Sequence, residues 1–117
     1  MKLKNAGFFK ELPHGDKSGI SLAENVSDTA IENEEEIIKY LDNGELFISC
    51  PGIATDVMDK NKIAGCPNIY TDGVWTWPGD LVYYIRHYHV KLPEEFISHM
   101  KSNGWIIPSI DLDNISL

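Results

Sequence analysis

The stretch 72–89 constrains the fold of this chain more than any other part of it. An Asp-Gly pair opens the stretch and is a strong signal for a tight hairpin turn. Residues 74–77 then alternate between two faces, as strand residues do, which places Trp75 and Trp77 on the same face. Pro78-Gly79-Asp80 follows and is typical of a helix start. The sequence therefore predicts a hairpin whose second strand leads directly into a helix.

This predicted helix has an apolar stripe and a more polar face. The stripe consists of side chains at i, i+3, i+4 and i+7, namely Leu81, Tyr84, Ile85 and Tyr88. We expect it to pack against the sheet, with Trp75 and Trp77 more favoured as core residues than as a surface platform. The polar face combines a carboxylate, a phenol and an imidazole, those of Asp80, Tyr83 and His87.

The remaining elements follow from capping residues and apolar runs. A helix capped by Ser27 or Asp28 is predicted to end at Asn43-Gly44, with Gly44 in the left-handed conformation. A strand over 45–50 is predicted to be central, because its apolar residues are continuous. Other predicted elements are an ordered loop over 53–67, a strand over 68–71 and a last helix from Pro93 to Asn103-Gly104.

These elements predict a single α+β domain over residues 1–117. Its small antiparallel sheet has about three strands, and about three helices pack on it. The N-terminal segment and the C-terminal tail, residues 109–117, are predicted to be loose. Apolar runs are much too short to cross a bilayer, so no membrane association is expected. Without an export signal, a cytoplasmic protein with reduced thiols is expected.

The net charge of −8 is unevenly distributed along the chain. Residues 24–59 contain ten acidic residues and only one basic residue, Lys39. A field of this sign disfavours contact with nucleic acid phosphates and attracts basic partners. The run Glu34, Glu35 and Glu36 is therefore a candidate binding surface for a basic protein, although such a run is also typical of a solvated helix face.

The candidate sites for chemistry are weak by comparison. His87 and His89 are two apart and cannot share one ion unless the helix ends between them, and neither a metal nor another cofactor is predicted. Asp80 and His87 share a face with Tyr83 and define an enzyme hypothesis, but no nucleophile with a paired base is present. Asp80 in a first helical turn has a simpler interpretation as a ligand of free backbone N–H groups.

A motif in residues 71–96 resembles a group of small bacterial proteins without established biochemical function. The similar residues are Thr71-Asp72-Gly73, Trp75, Trp77-Pro78, Asp80-Leu81, Tyr83-Tyr84 and Leu92-Pro93-Glu94-Glu95-Phe96, and Tyr40-Leu41-Asp42-Asn43-Gly44 extends the likeness. The group resembles the immunity proteins of bacterial toxin systems. The resemblance implies no catalytic residues.

Two functional hypotheses of different kinds follow. The first is a non-enzymatic binding protein of the immunity type, which neutralises a basic toxin domain through the acidic 24–59 region. The second is a small-ligand-binding or regulatory domain with an aromatic pocket. The candidate binding residues for the two together are Glu34, Glu35, Glu36, Asp72, Trp75, Trp77, Asp80, Tyr83 and His87.

Overall fold

A computed structural model describes residues 3–110 and confirms the α+β fold. Three helices, α1 (Glu34–Asp42), α2 (Leu81–Tyr88) and α3 (Glu94–Ser102), accompany six strands and one short 3-10 helix, Ala23–Asn25. The strands are β1 (Lys4–Asn5), β2 (Glu45–Ile48), β3 (Ala54–Asp56), β4 (Asp59–Gly65), β5 (Ile69–Thr71) and β6 (Trp75–Pro78). β1, β6, β5 and β2 form one sheet in that order, and β3 and β4 form a second, two-stranded sheet.

The predicted hairpin is present and joins β5 to β6 as antiparallel neighbours. Asp72 closes its turn, since one carboxylate oxygen accepts hydrogen bonds from the backbone N–H groups of Val74 and Trp75, at 2.9 and 2.7 Å. Gly73 has a φ of +96°, a conformation that an L side chain would disfavour. The Asp-Gly pair therefore supplies both the local hydrogen bonds and the backbone freedom of the turn.

Trp75 and Trp77 lie on one face of β6, and both are core residues. Their side chains pack against Phe96 of α3, with ring centroids 4.7 and 5.7 Å apart, and Trp77 also faces Tyr40 of α1 at 6.2 Å. Only 4% and 1% of the two tryptophans is exposed. The apolar stripe of α2 is also inside, since Leu81, Tyr84 and Ile85 are fully buried.

The helix predicted to start after Ser27 or Asp28 begins later, at Glu34. Asn33 precedes it with a φ of +60°, a left-handed conformation that asparagine tolerates better than most residues. The segment 26–33 instead runs along the surface, and the backbone N–H of Ser27 donates to the carbonyl of Tyr88 at the end of α2. A contact with a distant part of the chain thus holds the segment, and no local signal predicts such a contact.

Gly44 follows α1 as predicted, but not for the predicted reason. Gly44 does not have a positive φ, whereas Gly104 after α3 has a φ of +64°. A Cβ added to Gly44 would lie 2.4 Å from an indole carbon of Trp77. Gly44 is therefore needed because Trp77 lies directly against its backbone.

One strand prediction and one loop prediction were wrong. β2 lies at an edge of the four-stranded sheet and not at its centre, and 48% of Leu46 is exposed. The predicted loop over 53–67 is instead the β3–β4 hairpin, whose register shifts twice over three pairs. These irregular pairs explain why the segment has no clear period-2 pattern of apolar residues.

The N-terminal segment is packed, although it was predicted to be loose. β1 pairs in parallel with β6, so the large sheet is mixed and not purely antiparallel. The following residues Ala6, Phe9 and Leu12 are buried in the core. The part of the predicted loose tail from residue 111 onward lies outside the described residues.

We predict that Gly44→Ala lowers the free energy of unfolding by about 1–3 kcal/mol, the usual cost of overpacking a core. The added methyl group must displace Trp77, whose side chain is only 1% exposed. Urea denaturation measures the change.

The double variant Gly44→Ala/Trp77→Phe provides the control for this prediction. If the clash is the cause, the cost of Gly44→Ala is smaller in the Trp77→Phe background, because phenylalanine is the smaller ring. An equal cost in both backgrounds would contradict it.

Candidate functional site

Asp72 lies at the centre of the first polar cluster, beneath the β5–β6 turn. Its second carboxylate oxygen accepts a hydrogen bond from the Tyr40 hydroxyl at 2.5 Å and lies 3.2 Å from Nε2 of His99. Asn103 donates to the Tyr40 oxygen at 3.1 Å. Burial and the hydrogen bond to Asp72 raise the pKa of Tyr40, so the hydroxyl is neutral and acts as a donor. Asp72 is therefore occupied in holding α1 and α3 to the turn.

Asp56 lies at the centre of a second cluster, between the β3–β4 hairpin and α2. Its carboxylate is fully buried and accepts hydrogen bonds from the hydroxyls of Tyr88 and Tyr83, at 2.5 and 2.8 Å. The backbone N–H groups of Met58 and Asp59 also donate to it, at 2.7 and 3.2 Å. Tyr83 is thus a hydrogen-bond donor to a structural carboxylate. Its position on the polar face of α2 did not suggest this structural role.

Burial raises the pKa of the Asp56 carboxyl, but the hydrogen bonds to its charged form outweigh that effect and hold its pKa below its ordinary value. Burial and the contact with Asp56 together raise the pKa of Tyr83 to about 12. The carboxylate is therefore charged at neutral pH, while both phenols stay protonated as its donors.

Asp80 is fully buried immediately before α2, but it does not cap the helix. Its side chain makes no hydrogen bond to the backbone N–H groups of the first turn, contrary to the simplest expectation. Nε2 of His14 lies 2.9 Å from one of its carboxylate oxygens. The angles do not fit a hydrogen bond, so His14 Nε2 and both Asp80 oxygens lack a hydrogen-bond partner within the described residues.

The three glutamates at the start of α1 do not form one uniform surface. Glu34 is paired with His89, with Oε1 and Nδ1 2.7 Å apart, and this contact joins the start of α1 to the end of α2. Glu35 and Glu36 are exposed. The run therefore contains one structural carboxylate and two that are available to solvent.

The candidate aromatic pocket is not assembled in this structure. Trp75 and Trp77 are in the core next to α3. Tyr83 and His87 instead contact each other on α2, with tilted rings whose centroids are 4.2 Å apart. Asp80 faces His14 and not His87. The nine predicted site residues thus divide among several separate places.

A groove of about 700 Å³ lies between the segment 24–33 and α3. We call it the acidic groove. It combines carboxylates of Glu24, Glu32 and Glu94, apolar side chains of Val26, Ile31, Leu92 and Ile97, and the lysines Lys91 and Lys101. The segment 24–36, which forms one wall and continues into α1, contains six acidic and no basic residues. This arrangement provides apolar contact area beside negative charge.

Sequence reasoning missed His14 and His99 as partners of buried aspartates. Their partners lie 66 and 27 positions away along the chain, so no local spacing could have linked them. Within residues 3–110, no three His, Cys, Asp or Glu side chains are grouped as a metal site requires. Among the same residues, no helix is long and apolar enough to span a membrane.

Comparisons with models of protein families, with curated proteins and with solved structures found no match to this chain. The resemblance to small bacterial proteins therefore stays an expectation drawn from the motif residues. Any functional argument has to come from the geometry described above.

We predict that Asp56→Asn destabilises the protein by about 2–4 kcal/mol at pH 7, because it removes a buried charged acceptor from two partly buried phenols. The folded-state pKa of Asp56 is lowered, so its contribution to the free energy of unfolding is complete above the unfolded-state pKa, near 3.8. This contribution is lost as the pH falls through the folded-state pKa. Urea denaturation should therefore show a smaller loss of stability below about pH 4 in Asp56→Asn than in the wild type.

Asp42→Asn is the matched control. Asp42 lies 3.8 Å from Arg86 with both side chains more than half exposed, so its removal should change stability by no more than about 0.5 kcal/mol. Equal effects of the two substitutions would contradict a special role of Asp56.

Proposed function

We propose that this protein is a non-enzymatic binding module of the immunity type, which neutralises a basic toxin domain by binding it at the acidic groove. The observation that carries the proposal is the position of the groove beside the acidic segment 24–36. Protein interfaces combine a central apolar area with polar and charged surroundings, and the groove offers both.

The contacts of the acidic residues narrow the proposed surface. Of the acidic residues in 24–59, Asp56 is buried, Glu34 is paired with His89 and Asp42 lies near Arg86. In contrast, Glu32, Glu35 and Glu36 are exposed, and Glu32 also lines the groove. Exposed carboxylates thus lie beside the groove, whose lining also contains Lys91 and Lys101.

The apolar lining supports binding over simple solvation. Val26 is 37% exposed, and Ile31 and Ile97 are only partly buried, so a partner could cover them. Burial of apolar surface stabilises a complex, while the exposed carboxylates accelerate the encounter with a basic surface. Charge would therefore control mainly the association rate, and apolar contact the lifetime of the complex.

We predict that the triple variant Glu32→Gln/Glu35→Gln/Glu36→Gln associates about tenfold more slowly at low salt with the basic protein encoded beside this one. The cause is the loss of three exposed negative charges, of which Glu32 lines the groove and Glu35 and Glu36 follow it in the chain at the start of α1. Surface plasmon resonance at low and high salt measures the rate, and the toxin's own activity measures neutralisation.

A second triple variant, Asp42→Asn/Glu45→Gln/Asp59→Asn, removes the same charge outside the groove. It should bind at close to the wild-type rate. Equal losses in both variants would show that only net charge matters, and no binding by the wild type would overturn the proposal.

A further inference from the structure

A second cavity, of about 300 Å³, lies next to the unpartnered pair His14 and Asp80. We call it the His14 cavity. His14, Asn5, Phe8, Asp16 and Thr76 are among its lining residues. It is distinct from the acidic groove, whose lining shares none of these residues.

The pair stands out because buried polar atoms in folded proteins nearly always have a partner. The only buried side-chain nitrogen or oxygen atoms without one among residues 3–110 are Nε2 of His14 and the two oxygens of Asp80. All three belong to this one contact. An isolated exception of this kind is expected at a functional site, where local stability is given up for binding or chemistry.

The geometry assigns different tasks to the two residues. Asp80 is completely buried, and one of its oxygens lies 2.9 Å from Nε2 of His14, so this close approach restricts the position of the imidazole without a hydrogen bond. His14 lines the cavity and 24% of its side chain is exposed, so a ligand in the cavity can reach the imidazole. In a neutral imidazole with its proton on Nε2, Nδ1 is a hydrogen-bond acceptor.

The loop that carries His14 is held in place by backbone hydrogen bonds. Leu12 donates to Phe9, Gly15 to Leu12 and Asp16 to Phe8, at 3.1 Å in each case. A Cβ added to Gly15 would overlap the carbonyl oxygen of Phe9, at 1.8 Å, so the loop closes tightly at that residue. His14 is therefore presented by a fixed loop.

The other lining residues indicate the charge of the ligand. Asp16 contributes a carboxylate whose Oδ1 accepts hydrogen bonds from Ser18. These bonds lower the pKa of Asp16, so it is ionised at neutral pH. Phe8 adds an aromatic ring, and aromatic rings attract cations. An acceptor nitrogen, a carboxylate and an aromatic ring together favour a cation that carries several hydrogen-bond donors.

We propose that the His14 cavity binds a guanidinium group, with His14 and Asp16 as its direct ligands and Asp80 as the residue that positions His14. A guanidinium group is flat, permanently charged and rich in N–H donors, and it stacks on aromatic rings. The same group occurs on a free small molecule and on an arginine side chain of a protein. The inference does not depend on the acidic groove.

The test is an NMR titration of the folded protein with ethylguanidinium, with the imidazole signals of His14 and the amide signals of the cavity as readouts. We expect saturable shifts confined to the cavity. N-ethylurea has a similar shape but no charge and should produce no saturable shift. Equal responses to both compounds, or none to ethylguanidinium, would overturn the proposal.

Two substitutions separate positioning from direct contact. Asp80→Asn should weaken ethylguanidinium binding about tenfold and change the imidazole signals of His14 even without ligand, because the ring loses its charged support. Asp16 is exposed, so the Asp16→Asn variant should fold even if the Asp80→Asn variant does not. Asp16→Asn should weaken ethylguanidinium binding without changing the His14 signals of the ligand-free protein. Asp42→Asn, outside the cavity, should bind as the wild type does. Unchanged affinity in Asp16→Asn would overturn the direct role.

A peptide with one arginine between glycines distinguishes the two sources. Binding as tight as that of ethylguanidinium would support a protein side chain as the natural ligand, whereas binding of the free compound alone would support a small molecule.

Discussion

The buried carboxylate of Asp72 is the interaction on which the rest of the structure depends. Through one oxygen it closes the turn between β5 and β6, and through the other it contacts Tyr40 of α1 and His99 of α3. Trp75 and Trp77 can pack against the same two helices only because this turn sets the position of β6. A charged group stays buried here because several donors surround it, which is the condition for a tolerable desolvation cost.

Several hydrogen-bond donors also stabilise other carboxylates, so part of the acidic composition serves the fold. Burial acts to raise the pKa of Glu11, but hydrogen bonds from Ala23, Leu22 and Ser21 outweigh it and lower the pKa to about 2. Glu11 thus fixes the start of the short 3-10 helix, as Asp56 fixes the β3–β4 hairpin on α2. Part of the negative charge is therefore structural. Only the exposed remainder, such as Glu35 and Glu36, is free to attract a partner.

Local sequence signals predicted the elements whose causes are local. The Asp-Gly turn, the stripe of α2 and the placement of Trp75 and Trp77 on one face of β6 all follow from neighbouring residues. The late start of α1 and the edge position of β2 could not be predicted, because contacts between distant segments determine them. The contact between His14 and Asp80 is of the same kind. Its two residues are ordinary in the sequence, and only the fold brings them together.

The parallel pairing of β1 with β6 has a consequence for the order of folding. Thr76 donates a hydrogen bond to Asn5, 71 positions earlier, so this contact closes most of the chain into one loop. Closing so long a loop costs entropy before any contact can compensate, which slows contacts of this kind. The hairpin over 69–78 needs only a short loop and can form first. We therefore expect β1 to dock late, onto a strand that its own hairpin has already ordered.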